Sequence, residues 1–188
     1  MNNYFKEIKD LVLRVEGQYQ DDIDDNGNRY GGVLIGTKYG ITPATLRRHR
    51  GQKVTRKDME ELTKQEAIAI YKSMYWDAMR CGEINNFNIA LLLFDAYVNH
   101  GTRGSKMLQK AVNSVLKRKV LKIDGVIGPN SLAAINYTDS VALWYEYKKN
   151  RAIEYRRIVT HNPKKKKFFK GWINRLESYC FDVKRALL

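Results

Sequence analysis

Residues 16–42 read EGQYQDDIDDNGNRYGGVLIGTKYGIT, and the change of pattern along them decides the fold. Upstream, Phe5, Ile8, Leu11, Val12 and Val15 recur at helical spacing, which predicts an amphipathic helix over 3–16 that Gly17 ends. Next come Asp21, Asp22, Asp24, Asp25, Asn26, Gly27 and Asn28, an acidic turn cluster. Residues 30–41 then mix glycines with strand formers, so a small β-hairpin or three-stranded sheet is expected. Thr42 and Pro43 supply an N-cap and an N1 proline for a short helix to Arg50.

Downstream the chain reads as helix. Thr63 and Glu66 fit a capping box, opening a helix to about Met79 with Ala67, Ile70, Tyr71 and Met74 on one face. Residues 86–99 are apolar nearly all round, as in a central buried helix. An amphipathic helix is expected over 104–117. Asp124 to Pro129 form a turn into a further helix. Two long helices over 139–160 and 167–186 close the chain, separated by Asn162, Pro163 and the lysines 164–167. The fold class is therefore mainly α, with one small β segment near the N-terminus and a helical C-terminal half.

The chain has 188 residues, enough for one compact domain or two small subdomains. Its 34 Lys and Arg against 20 Asp and Glu give a formal charge of +14, and the excess lies wholly in residues 101–188. With 44% hydrophobic residues the chain is no disordered polyelectrolyte. A one-sided basic surface attracts polyanions: nucleic acid, an anionic membrane or an acidic wall polymer. No apolar run reaches the length of a membrane span. Residues 1–15 carry charges throughout, so no signal peptide is read there. Cys81 and Cys180 are too few for a disulfide scaffold or zinc site and read as ordinary thiols, with a single bridge left open.

Glu16 carries the chemical reading. A carboxyl at a helix C-terminus faces the negative end of the dipole, and Leu13 and Val15 can desolvate it further; both raise its pKa. A carboxyl protonated near neutral pH is what a general acid needs. Asp25 follows in a polar turn that keeps it ionised, and Thr37 lies beyond Gly31 and Gly32. An acid, a solvated carboxylate and a water-holding hydroxyl are the parts of glycoside hydrolysis. Taken alone, a glutamate at a helix end is more often a surface residue.

The same residues carry a resemblance. Glu16-Gly-Gln-Tyr19, Asp25, Gly31-Gly32 and Thr37-Lys-Tyr-Gly-Ile-Thr42 resemble the N-terminal signature of glycoside hydrolase family 108, N-acetylmuramidases of lysozyme-like fold. Leu62-Thr-Lys-Gln-Glu-Ala67, Ile70-Tyr71 and Tyr75-Trp76 resemble its next segments. Phe94-Asp95, Asn99-His-Gly101, Leu108-Gln109, Asp124-Gly-Val-Ile-Gly-Pro129 and Gly171-Trp172-Ile-Asn-Arg175 resemble its companion peptidoglycan-binding region. The resemblance implies a lysozyme-like α+β region over 1–85 and a helical, basic, peptidoglycan-associated region over 86–188, packed as one unit. It puts Glu16 at the catalytic acid. This sequence departs from the pattern in having Gln18 for the second glycine and a longer stretch between Asp25 and Thr37, and Asp22 or Asp24 could stand where Asp25 is placed.

The expected catalytic set is Glu16, Asp25 and Thr37. Tyr19, Tyr39, Trp76, Phe94 and Asn99 are substrate-contact candidates, although aromatics at helical spacing are more often core and Asn99 could equally cap its helix. Arg156, Arg157 and Lys164, Lys165, Lys166 and Lys167 form a candidate docking patch. Asp22, Asp24 and Asn26 match the start of an EF-hand loop, but Val33 stands where the closing glutamate belongs, and a plain turn is the simpler reading. No metal or cofactor is expected. The partner is peptidoglycan or an anionic wall polymer, with no specific nucleic acid, and the chain is expected to be a monomer. A cytoplasmic product without a signal would reach the wall as a phage endolysin through a holin pore, or by non-classical secretion. A silent wall-binding protein and a basic nucleic-acid module are the rival readings.

Overall fold

The computed structural model of the chain describes Phe5, residues 19–23 and residues 26–182. The helix expected over 3–16 falls, apart from Phe5, outside the described residues. The chain divides into two compact units, one ending at Ala78 and the other beginning at Met79.

In the first unit, β1 (Arg29–Tyr30) and β2 (Val33–Leu34) pair antiparallel, with Arg29 opposite Leu34 and Tyr30 opposite Val33. Gly31 and Gly32 make the turn at φ 58° and 83°. A two-residue hairpin with both φ positive is the type I′ connection that matches strand twist, and glycine adopts it without a Cβ penalty. Of the two β arrangements the sequence allowed, the hairpin forms. Single bridges pair Gln20 with Thr37 and Lys38 with Ile41.

Helix α1 (Pro43–Arg50) starts as expected: the Thr42 side chain accepts from the Thr45 N–H, and Gly51 closes the helix at φ 71°. A short α2 (Arg56–Glu60), absent from the sequence reading, carries a full capping box between Thr55 and Asp58. Helix α3 (Lys64–Tyr71) has half of its expected box. Thr63 accepts from the Glu66 N–H, but the Glu66 carboxylate turns to Arg50, at 2.8 Å through each oxygen.

The expected continuation of α3 to Met79 is corrected. From Lys72 to Asp77 the backbone widens into a π-helical turn. The extra residue shifts the buried face, so Trp76 (2% exposed) follows Tyr71 inward while Met74 is only half-buried. Leu46, Met59, Leu62 and Ile70 complete the core of this unit. Each such side chain contributes about 1.5–3 kcal/mol on burial.

In the second unit, α4 (Phe87–His100) is capped by Asn86 and buries Leu92, Leu93, Phe94 and Ala96. It is the central helix its all-round apolar sequence predicted. Around it lie α5 (Thr102–Val115), α6 (Pro129–Tyr137), α7 (Ser140–His161) and α8 (Lys166–Ser178). At Gly104 a Cβ would fall 2.6 Å from the Ala96 carbonyl, so glycine is what lets α5 approach α4 so closely. Gln109 builds the turn before α6: its Oε1 accepts from the Gly125 N–H at 2.7 Å, and its Nε2 donates to Asp124 and to the Val126 carbonyl, each at 3.0 Å.

The last helix ends at Ser178, not 186. Over residues 179–182 the chain is no longer helical, with Lys148 Nζ on the Tyr179 carbonyl and the Asn88 amide clasping the Asp182 backbone at 2.8 and 3.1 Å. Those tertiary bonds take the backbone groups a further helical turn would have used. The lysine run also belongs to helix: Pro163–Lys165 form a 3-10 turn that feeds α8 directly. Cys81 is buried, Cys180 is exposed, and both are free thiols.

Candidate active site

Thr37 is the described member of the expected catalytic set; Glu16 and Asp25 lie outside the described residues, as does Asp24. Thr37 is held by its backbone. Its N–H donates to the Gln20 carbonyl at 2.7 Å, and its carbonyl accepts from the Gln20 N–H at 2.8 Å. Gln20 is in turn fixed by Asn28, the two side-chain amides exchanging bonds of 3.0 and 2.8 Å. Asn28 is fully buried, donates also to the Asp22 carbonyl, and accepts on its own carbonyl from Ile35 and Gly36. One amide clasp therefore joins the acidic turn, the hairpin and the strand bearing Thr37.

The Thr37 hydroxyl is buried and has no hydrogen-bond partner among the described residues. Leaving such a group unmet costs about 1–3 kcal/mol. A threonine kept there at that cost is a candidate for holding a water or a sugar hydroxyl.

Tyr19 lies against this segment. Its hydroxyl donates to the Ile35 carbonyl at 2.9 Å, and a Cβ on Gly36 (φ 91°) would fall 2.5 Å from its ring. Burial raises the Tyr19 phenol pKa, against the opposing pull of Arg56. Arg56 stacks over the same ring at 5.4 Å and pairs with Asp21 at 2.7 Å and Glu60 at 2.9 Å. The Asp21 carboxylate is thereby engaged, while Asp22 is exposed. Tyr39 is half-buried at φ 52°, and its carbonyl accepts from the Tyr71 hydroxyl. Both tyrosines border the Thr37 segment.

The remaining candidates do not gather there. Trp76 is a core residue, 2% exposed, with its ring 5.8 Å from Phe5. Phe94 is buried in the second unit. Asn99 is exposed and donates to the carbonyl and carboxylate of Asp95 within its own helix, at 2.7 and 3.2 Å. Arg156, Arg157 and Lys164 to Lys167 are all exposed at the junction of α7 and α8. Arg157 is already paired with Glu154 through two bonds of 2.7 and 2.8 Å. Among the described residues no cluster of His, Cys, Asp or Glu has the arrangement of a metal site, and no helix is long and apolar enough to cross a membrane.

Sequence reasoning missed the buried centre of the second unit. Asp95 on α4 takes Arg151 of α7 at 2.6 Å and Arg175 of α8 at 2.8 Å. Burial pushes the Asp95 carboxyl up, but the two guanidiniums and the Tyr179 hydroxyl outweigh it and hold it below the ordinary carboxylate value. Beside it, burial and Arg151 push His100 down to about 4. The available signal was a lone Asp in an apolar run, which requires a buried partner.

The profile of the family described as Glycosyl hydrolase 108 matches residues 9–101, and that described as Predicted Peptidoglycan domain matches residues 103–177. Among solved structures, the chain is similar to SagA of Brucella abortus. The TM-score is 0.77 at 29% identity, over 97% of this chain and 93% of that one. No curated protein matches.

Proposed function

The chain belongs to the glycosyl hydrolase 108 family through residues 9–101 and carries a predicted peptidoglycan domain over 103–177, and on that premise we propose that this peptidoglycan-directed glycoside hydrolase cleaves the β-1,4 bond between N-acetylmuramic acid and N-acetylglucosamine. Glu16 is the general acid, protonating the leaving glycosidic oxygen. Asp25, with Asp22 and Asp24 as the alternatives, orients the attacking water or stabilises oxocarbenium-like charge, and Thr37 steadies that water through its hydroxyl.

The observation that supports this reading best is the buried Thr37 hydroxyl, without a partner among the described residues, on a backbone paired to Gln20, which Asn28 fixes in turn. In sequence Glu16 stands four residues from Gln20, and Asp25 three from Asn28. The clasp that fixes Thr37 thus lies within four residues of both carboxyls along the chain. Tyr19 and Tyr39 flank the sugar; Trp76 belongs to the core of the same unit. The exposed cations at the junction of α7 and α8 dock the enzyme on anionic polymer, an interaction that weakens with salt. The site of action is the bacterial cell wall.

The test is Glu16→Gln against wild type on purified peptidoglycan, following turbidity and the masses of the released fragments. General acid catalysis supplies about 10²–10⁴-fold, so clearance falls by that factor while the fold is kept. A folded Glu16→Gln protein that clears peptidoglycan at the wild-type rate overturns the assignment. Fragments cut in the peptide instead of the glycan overturn the bond.

A further inference from the structure

A groove of about 300 Å³ runs between α5 and α7 in the second unit, outside the segment that holds Thr37. Its walls are the facing i, i+3, i+4, i+7 rows of the two helices. Arg103, Lys106 and Lys110 rim the α5 side, and Arg157 rims the α7 side. The floor is apolar: Met107, Ile153 and, from the following loop, Ile123. Ile123 and Ile153 are 47% and 45% exposed, unusual for side chains of that size.

The charges are unevenly paired. The lining carboxylate, Glu154, is held by Arg157 at 2.7 Å and approached by Arg103 at 3.6 Å. Lys106 and Lys110 have no carboxylate partner among the described residues. The groove thus presents two unneutralised ammonium groups over exposed isoleucine. None of its lining residues is aromatic, so it lacks the platform on which sugar rings and nucleobases stack.

Spacing narrows the ligand further. Lys106 and Lys110 are one helical turn apart, about 6 Å along the axis. Alternate residues of an extended peptide are about 7 Å apart. A peptide lying along the groove can therefore set carboxylates of alternate residues on the two lysines while its small aliphatic side chains cover Ile153 and Ile123.

We propose that this groove binds the acidic peptide portion of peptidoglycan, a short chain of small aliphatic residues bearing free carboxylates. The proposal rests on the wall-directed reading above and adds to it a second contact, made to the peptide and separate from the glycan bond that is cut. Such a contact holds the polymer while the glycan enters the site.

The test titrates the full chain, with its isoleucine methyls labelled for NMR, with the free stem tetrapeptide. Parallel titrations use a chitin tetrasaccharide and a mixed-sequence single-stranded oligonucleotide. Saturable shifts at Ile123 and Ile153 with the peptide are expected, weakened about tenfold or more in the Lys106→Glu, Lys110→Glu double variant. Both lysines are exposed, and circular dichroism checks that the variant folds. The proposal is overturned if the peptide leaves those methyls unmoved, if the double variant binds it as tightly as wild type, or if the oligonucleotide or the sugar occupies the groove in its place. Loss of turbidity clearance in Glu16→Gln is scored separately. A protein that binds peptide but cuts nothing sinks the hydrolase reading alone, and one that cuts glycan but ignores peptide sinks the groove alone.

Discussion

In the first unit, Arg50 gathers Glu66 and Asp58 at the edge of the fold, where all three side chains are 23–29% exposed. In the second, Asp95 gathers Arg151 and Arg175 at 2% and 0% exposure for the central pair. The bond lengths are alike; the surroundings are not. Water can solvate whatever the first cluster loses, so its net worth is of the order of 1 kcal/mol. The second cluster joins three helices, and although Arg175 is 32% exposed, its Asp95–Arg151 pair lies where water offers no substitute; Arg151 Nε and Nη1 are buried without partners among the described residues even when it is intact. Such a cluster is expensive to break even where it contributes little net stability.

The sharpest way to break the comparison is Asp95→Ala. It strands Arg151 in the core and should cost about 3–5 kcal/mol, read as a shift of the urea midpoint. Glu66→Gln should cost roughly 1 kcal/mol or less. Equal effects from the two substitutions would show that burial does not separate these clusters.

Acid provides a second contrast, because the two units contain groups that titrate in different windows. His100 is depressed from 6.5 to about 4, chiefly by burial, with Arg151 and Arg103 adding to the shift and Asp95 and Glu154 opposing it. A depressed group contributes stability above its unfolded pKa and loses it as pH falls toward the folded one, so the second unit should weaken between pH 6.5 and about 4. The loss is on the order of 3 kcal/mol. Glu66 is also depressed, by its hydrogen bonds to Arg50. Its contribution is fully present above the ordinary glutamate pKa and is lost only below it, near pH 4 and under. Amide hydrogen exchange at pH 7, 5 and 4 should therefore show α4 and α7 losing protection before α1 and α3. Simultaneous loss, or loss in the first unit first, contradicts this order.

The units also differ in how much of them could be read from sequence. Local chemistry was legible. Thr42 with Pro43, Gly31 with Gly32, and Pro129 at the start of α6 each act on neighbours a few residues away. What failed depended on partners far along the chain or on a change of period. The π turn at 72–77 adds a residue that a 3.6-residue pattern cannot register, hence the misplaced Met74. Helix α2 is too short to show a period. The end of α8 is set by Asn88, 94 residues from Asp182. Of the candidate residues, Tyr19 and Tyr39 border the Thr37 segment, whereas Trp76 and Phe94 are core, the commoner reading for aromatics at helical spacing. The Gln20–Asn28 clasp escaped notice because two amides eight residues apart match no motif.

The smallest expected change in stability falls at the residue that supports the proposed site. Thr37→Val removes a buried hydroxyl that has no partner among the described residues and leaves a side chain of nearly the same shape. Removing an unmet polar group relieves its desolvation cost, so stability should stay within about 0.5 kcal/mol of wild type or rise. If the hydroxyl holds the attacking water, hydrolysis of peptidoglycan should nonetheless fall by about tenfold or more, because misplacing a reacting group is costly even when binding survives. Stability and activity then move independently, as they do where a fold keeps a poorly satisfied group for its chemistry. A Thr37→Val protein that is as stable as wild type and hydrolyses as fast would leave Thr37 outside the mechanism, with the second carboxylate alone to orient the water. A protein that loses both would mean that the hydroxyl supports the packing of the hairpin segment.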